Sequence, residues 1–328
     1  MKLTVLGAGA WGTALAASWA SQHAVTLWGR NARDVDTMRA SRVNTHYLPG
    51  CPLPSSLALS ADFDRALEAA ELIVIAVPSS GLRATLAALA RRPALPPILW
   101  VCKGFEPGTR RLPHQLVAEL LPAGAETGVL SGPSFAQEVA HGYPTALTLA
   151  SADIALAQRL AEALSGNRLR LYAHDDVVGV EIGGALKNVM AIAAGICDGL
   201  NFGHNARAAL ITRGLAEMTR LGVDSGGRFE TFMGLSGLGD LILTTTGDLS
   251  RNRQVGLRVA KGQPLDRILD ELGHVAEGVT TAREVAALAA ERGVEMPIAR
   301  MVCRILFEGL PASEAVDSLL NREIRSEF

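Results

Sequence analysis

A doubly wound α/β domain followed by an all-helical domain is the fold class that this sequence predicts. Three observations carry it. Short β-branched or fully apolar runs alternate with alanine-rich helical runs through the first half. A glycine cluster follows the first of those runs directly. After about residue 178 the β-branched runs stop and long helical periodicities take over. A chain of 328 residues has room for about two domains, with bounds at 1–178 and 179–328.

Residues 3–6 read as the first strand, 12–21 as the first helix and 24–28 as the second strand. The run Leu-Ile-Val-Ile-Ala-Val at 72–77 is apolar throughout and stops at Pro78, as a strand covered on both faces does. A helix at 81–90, a strand at 98–102, a helix at 112–121 and a short strand at 128–130 follow. Strands at 146–150 and 169–172 enclose a helix at 154–164. Continuous apolar strands alternating with helices imply a parallel sheet. In the second half helices are expected at 205–221, 254–259, 265–272, 281–292, 297–307 and 313–320. Gly222, Gly273, Gly293 and Gly309 follow helical stretches as stop signals. No low-complexity linker separates the halves, so they should pack closely around a cleft.

Composition excludes several classes. Hydrophobic residues at 48% and charged residues at 20% suit a soluble protein with a large core. A net charge of -2 with scattered Lys and Arg gives no electrostatic case for nucleic acid or an acidic membrane. Cys51, Cys102, Cys197 and Cys303 form no CxxC and no His–Cys cluster of zinc spacing, so no metal is expected. Cysteines within apolar runs favour a reducing compartment. The N-terminus lacks the apolar core of a signal peptide, and no uncharged run has transmembrane length. The expected location is cytoplasmic, without membrane insertion.

Gly7-Ala-Gly-Ala-Trp-Gly12 joins the first strand to the first helix. This is the context in which G-x-G-x-x-G binds a dinucleotide, and it makes the first domain Rossmann-type. Gly7 permits the tight turn, Gly9 lets backbone approach a pyrophosphate, and Gly12 allows the helix to pack close to the strand. The phosphates meet the free N–H groups of the helix N-terminus. The second strand ends Trp28-Gly-Arg30-Asn31 with no acid before Asp34. An acid there would hold the ribose hydroxyls of NAD; Arg30 instead suits the 2′-phosphate of NADP, with Arg33 a weaker candidate. NADP(H) is therefore favoured and NAD(H) allowed. A solvent-facing Arg30 is the alternative.

Between Glu181 and Asp198 the only charge is Lys187. An ammonium group in so apolar a run must reach water, find a partner or lose basicity. A lysine of lowered basicity exchanges protons near neutral pH. The neighbours one helical turn away include Gly183, Gly184 and Ala191, which leave room for a ligand or a close backbone. Asn188 adds a neutral donor and acceptor that would help to orient Lys187 and the substrate hydroxyls. Lys103 and the loop Gly132-Pro-Ser134 stand at strand ends, where ligands of open α/β sheets bind. There Gly132 could present its N–H and Ser134 its hydroxyl. Asp240 caps a helix, orients Lys187 or accepts a hydroxyl proton. Ser250-Arg251-Asn252-Arg253 opens a helix with cations, which the helix dipole disfavours unless an anion is held there.

With these residues in view, nearly the whole chain resembles bacterial NAD(P)-dependent glycerol-3-phosphate dehydrogenase. The motifs are Gly-Ala-Gly-Ala-Trp-Gly-Thr-Ala-Leu-Ala at 7–16, Cys-Lys-Gly-Phe-Glu at 102–106, Gly-Pro-Ser-Phe-Ala-Gln-Glu at 132–138 and Glu-Ile-Gly-Gly-Ala-Leu-Lys-Asn-Val at 181–189. They continue at 205–218, in Gly-Leu-Gly-Asp-Leu at 237–241 and in Ser-Arg-Asn-Arg at 250–253. The resemblance implies reversible reduction of dihydroxyacetone phosphate to sn-glycerol 3-phosphate for phospholipid synthesis, a homodimer, and a helical domain like the C-terminal one of 6-phosphogluconate dehydrogenase. It assigns Lys187 as the acid/base and Lys103, Gly132, Ser134, Asn188, Asp240, Thr244, Ser250, Arg251 and Asn252 to the substrate. To the cofactor it assigns Gly7, Gly9, Ala10, Trp11, Gly12, Arg30, Lys103, Ala136, Arg251, Val275 and Glu277. The family often carries Ser where Ala10 stands, so one cofactor hydrogen bond is in question. Two other readings remain at this point: an NADP-dependent β-hydroxy acid reductase, and a protein that senses NADPH without chemistry.

Overall fold

The computed structural model describes residues 1–166, 168–273 and 276–320. The chain opens with β1 (Lys2–Leu6), α1 (Ala10–Trp19), β2 (Ala24–Trp28) and α2 (Ala32–Ser41). A hairpin of β3 (Val43–Asn44) and β4 (Leu48–Pro52) precedes β5 (Ala58–Ser60) and α3 (Phe63–Leu67). Next come β6 (Leu72–Ile75), α4 (Ser79–Leu89), β7 (Ile98–Trp100), α5 (Pro113–Leu120) and β8 (Thr127–Ser131). The α/β part ends with α6 (Ala136–Ala140), β9 (Thr145–Ala150), α7 (Ile154–Leu164) and β10 (Leu169–His174).

Eight strands form one sheet in the order β10-β9-β8-β7-β6-β1-β2-β5. The strand order reverses between β1 and β6, which opens the crevice where such sheets bind ligands. β6 is buried at all four residues, as its uninterrupted apolar run requires. The expectation of a wholly parallel sheet needs one correction. β8 and β9 pair antiparallel, with Val129 opposite Ala150. Their connection carries only the short α6, which packs on α1 rather than serving as a crossover helix on the sheet. The small elements α2, α3, β3, β4, β5 and α6 were not legible as periodicity. α2, for example, buries only Val35 and Met38.

The second half is helical among the described residues: α8 (Val177–Gly199), α9 (Gly203–Asp224), α10 (Phe229–Met233), a π-helical turn at Leu235–Gly239 and α11 (Asp240–Thr246). Then follow α12 (Arg251–Ala260), α13 (Leu265–Leu272), α14 (Glu277–Arg292), α15 (Pro297–Phe307) and α16 (Ala312–Leu320). α8 is the axis. Its length and apolarity would suffice to cross a membrane, yet 89% of its apolar window is buried inside the fold. Helices α9, α10, α11, α12, α14 and α15 all pack on it.

Glycine sets how near these neighbours come. A Cβ on Gly183 would lie 2.4 Å from the Ser236 carbonyl oxygen in the π-helical turn. Gly195 and Gly256 face each other where α8 meets α12, and a Cβ on Gly256 would lie 2.0 Å from the Ile192 carbonyl oxygen. Both contacts are to backbone, which cannot swing aside. Gly256→Ala should therefore push α12 off α8. The expected outcome is a loss of about 1–3 kcal/mol or more in urea denaturation, with a raised KM because α12 carries Ser250 and Arg251 at its start.

Candidate active site

Lys187 sits midway along α8 and is 8% exposed. Its ammonium donates to Asp240 Oδ1 at 2.9 Å and to Thr244 Oγ1 at 2.8 Å. Thr244 keeps its single proton for the Asp240 carbonyl one turn back at 2.7 Å, so toward Lys187 it acts as acceptor. Asp240 is fully buried at the start of α11, one residue after the π-helical turn. Its second oxygen accepts from Lys103 Nζ at 2.5 Å. One carboxylate from the helical half thus holds two ammonium groups, one from each half of the chain. Gly239, not Asp240, is the N-cap of α11, so the capping alternative for Asp240 is set aside.

These contacts decide basicity. Burial lowers Lys187 to about 8, with Asp240 opposing the fall and Lys103 adding to it. Burial would raise the Asp240 carboxyl, but Lys103 and Lys187 together hold it below its usual range. The site therefore keeps a carboxylate beside a lysine that can exchange its proton near neutral pH.

The carbonyl oxygen of Gly132 accepts from Lys103 Nζ at 3.0 Å and from Ser134 Oγ at 3.0 Å. Asn188 does not hold Lys187. Its Oδ1 accepts from Asn252 Nδ2 at 2.9 Å, and Asn252 Oδ1 accepts from the Gly278 N–H at 3.1 Å. Asn188 and Asn252 therefore lock α8, α12 and α14 together through a buried amide chain.

Ser250 caps α12 by accepting the Arg253 N–H at 3.2 Å. The arginine pair of this helix start divides its work. Arg253 is buried and bonds Asp198 at 2.8 Å and Asp248 at 2.9 Å, which removes its conflict with the helix dipole. Arg251 is exposed and has no ion-pair partner among the described residues. It lies near enough to Glu277 to act on it. Burial raises the Glu277 carboxyl, while the Ser79 N–H, Arg251, Lys103 and Lys187 oppose that rise. Residues expected at substrate and cofactor thus converge on one place.

At the glycine loop, Gly7 has φ +122°, and a Cβ there would meet the Ala76 carbonyl oxygen at 2.6 Å. A Cβ on Gly12 would meet the Gly7 carbonyl oxygen at 2.1 Å, whereas Gly9 faces open space. The three glycines serve a turn, an approach face and a packing contact. α1 has no acid in its first turn and no side-chain cap, so its N–H groups suit a pyrophosphate. Trp11 Nε1 beside them is buried without a partner among the described residues. Ala10 and Ala136 pack in the small α1–α6 cluster, and Arg30 is exposed just past β2. Val275 lies outside the described residues. Sequence reading missed Asn44, whose Nδ2 donates to the Ala8 carbonyl at 2.9 Å and Thr13 Oγ1 at 2.8 Å, bracing the loop from the β3–β4 hairpin. No local pattern marks such a residue.

A dinucleotide crevice that opens toward a buried lysine of lowered basicity, with the lysine supplied by a second, helical half, is how two-domain nicotinamide-dependent dehydrogenases are built, and the chain is of that class. The family models for NAD-dependent glycerol-3-phosphate dehydrogenase match it twice, the N-terminal model over residues 2–157 and the C-terminal model over residues 176–317. The chain belongs to this family. It is 58% identical to the glycerol-3-phosphate dehydrogenase (NAD(P)+) of Nitrosospira multiformis over 332 residues, with 100% of each chain covered. The crystal structure of glycerol-3-phosphate dehydrogenase from Coxiella burnetii superposes with a TM-score of 0.94 at 44% identity, covering 98% of this chain and 99% of that one. A PanE/ApbA-family ketopantoate reductase from Ralstonia eutropha shares the fold alone, at 17% identity and a TM-score of 0.59 over 96% of this chain and 100% of that one.

Asp240 opposes the fall in Lys187 basicity. In Asp240→Asn, Lys187 should become a weaker base still, so the midpoint near pH 8 expected in the kcat profile should move to lower pH. An unmoved midpoint would show that Asp240 does not tune Lys187.

Proposed function

We propose that the protein interconverts dihydroxyacetone phosphate and sn-glycerol 3-phosphate, with Lys187 as the group that exchanges a proton with the C2 oxygen. The observation that carries this reading is the buried Lys187 ammonium, lowered to about 8 and fixed between Asp240 and Thr244. In reduction the substrate carbonyl oxygen becomes an alkoxide and takes the Lys187 proton, leaving the neutral amine. In oxidation that amine takes the hydroxyl proton back. Asp240 orients Lys187 and stays ionised throughout. Lys103 places a second positive charge at the carbonyl end. At the other end of the substrate, Arg251, the Ser250 hydroxyl and the first N–H groups of α12 suit a phosphate. Asn188 and Asn252 keep the two ends at a fixed separation.

A nicotinamide dinucleotide, when bound, supplies or accepts the hydride at C2. Gly7, Gly9, Ala10, Trp11 and Gly12 would hold its pyrophosphate, with Ala136 and Glu277 as further cofactor contacts. NADP(H) is the proposed partner, because Arg30 is exposed past β2 and no acid precedes Asp34. The four cysteines are free thiols, which supports a cytoplasmic setting. A homodimer completes the proposal and would be read by light scattering.

Lys187→Ala should lower kcat by several orders of magnitude and leave cofactor affinity nearly unchanged in fluorescence titration. Turnover near that of the unaltered protein would sink the assignment. In the unaltered protein, reduction should decline as pH rises through about 8, because the donor is the ammonium form; oxidation should rise through the same range. Arg30→Asp should raise KM for NADPH at least tenfold and change KM for NADH little. Equal losses with both cofactors would overturn the 2′-phosphate role.

A further inference from the structure

Behind the two lysines the halves of the chain meet a second time, at a buried carboxylate. Glu181 of α8 is bonded three times, each time from the α/β half. Trp100 Nε1 donates to its Oε1 at 2.8 Å, and the His114 N–H donates to the same oxygen at 2.9 Å. His114 Nδ1 bonds Oε2 at 2.5 Å. We propose that Glu181 is a positioning residue of the reaction, which fixes the place of Lys187 against Lys103 without bonding either ammonium group. This rests on the reading of Lys187 as the group that exchanges a proton with the substrate.

A closed circuit of chain and hydrogen bonds supports it. Trp100 ends β7, and Lys103 follows three residues later. Lys103 bonds Asp240, and Asp240 bonds Lys187. Glu181 lies six residues before Lys187 on the same helix, about 9 Å along its axis, and returns the circuit to Trp100. Val180 also packs in the apolar cluster that holds Trp100. Apolar contact is non-directional and tolerates sliding, whereas a carboxylate bonded through both oxygens does not. β7 pairs with β6, which borders the dinucleotide crevice. A slide of α8 against β7 therefore moves Lys187 relative to that crevice, and a misplacement of about 1 Å can cost about 10²-fold in rate.

The same link bears on basicity. Burial lowers Lys187, Asp240 and Glu277 oppose the fall, and Lys103 adds to it. Asp240 and Glu277 sit on α11 and α14, which pack on α8, while Lys103 belongs to the other half. If the halves part, Lys103 recedes and water enters, and both changes raise Lys187 from about 8. Within the link, burial raises the Glu181 carboxyl and His114 opposes that rise. Burial works against charge on His114, but the bond to Glu181 outweighs it and lifts the imidazole above its usual value. Glu181 and His114 therefore share one proton. An amide at 181 can keep all three bonds: its oxygen accepts from Trp100 and the His114 N–H, and its NH2 donates to Nδ1 of neutral His114.

The test compares Glu181→Leu, Glu181→Gln and Trp100→Phe with the unaltered full chain. The Lys187 midpoint is followed without cofactor or substrate, by NMR of the chain carrying 13C at the lysine ε carbons. The only other lysines are Lys2, Lys103 and Lys261, and the signal missing from Lys187→Ala identifies Lys187. Steady-state kinetics give kcat and KM. Glu181→Leu should move the midpoint above about 8 and lower kcat by about tenfold or more, with KM for dihydroxyacetone phosphate and for NADPH changed little. Glu181→Gln should return both quantities to those of the unaltered chain. Trp100→Phe removes one donor and keeps the carboxylate, so it should move both in the direction of Glu181→Leu by less; it decides the matter if Glu181→Leu does not fold. A lowered melting temperature in Glu181→Leu, with midpoint and kcat in place, leaves Glu181 a structural role only and overturns the proposal. A Glu181→Gln variant as impaired as Glu181→Leu overturns it too. Normal turnover in Lys187→Ala would fail the acid/base reading alone, because the midpoint in the Glu181 variants is read without turnover.

Discussion

The buried Asp240 carboxylate, shared by Lys103 and Lys187, is the contact on which the rest of the molecule depends. It is fully buried and bonds one ammonium from each half of the chain. Removing a charge from water costs several kcal/mol, and only close partners offset that. Two cations around one anion leave a net positive charge, and Glu277 lies close enough to feel both of them. A site of that charge favours an electron-rich carbonyl or phosphate over water. It also makes the two halves interdependent, because neither alone satisfies the Asp240 carboxylate.

α8 turns this local pairing into a fixed geometry. It is buried from Gly179 through Cys197, so its register is set from all sides. Gly183 lets the π-helical turn come within contact of its backbone, and that turn delivers Asp240. Gly195 and Gly256 do the same for α12, which delivers the phosphate-suited helix start. Glycine is a poor helix former, losing about 1 kcal/mol per residue relative to Ala. Here that loss is offset by backbone contact that any side chain would block. Small residues around Lys187 thus bring helices together.

The arginines show how one motif divides its labour. In Ser250-Arg251-Asn252-Arg253 only Arg251 is exposed and without a partner among the described residues. Arg253 is spent on Asp198 and Asp248, and Asn252 on Asn188 and Gly278. Three of the four side chains hold the helix start in place, and Arg251 alone is left exposed.

The sequence by itself determined the class. Apolar strands, helical periodicities and the Gly7–Gly12 turn are local signals, each written within a few residues, and β2, α7, α13 and α15 match their expected spans to the residue. Lys187 was also legible, because a lone charge in an apolar helix has few explanations. Only the tertiary structure decided who its partners are. Asp240 lies 53 residues from Lys187 and 137 from Lys103, and no periodicity encodes such a meeting. The antiparallel β8–β9 pair, the Asn188–Asn252 lock, the Asn44 brace and the Gly132 carbonyl role were hidden for the same reason. Each depends on where a loop returns in space. The lowered basicity of Lys187 depends on it too, since burial, its largest cause, is a property of the assembled helices and not of the segment that carries the lysine.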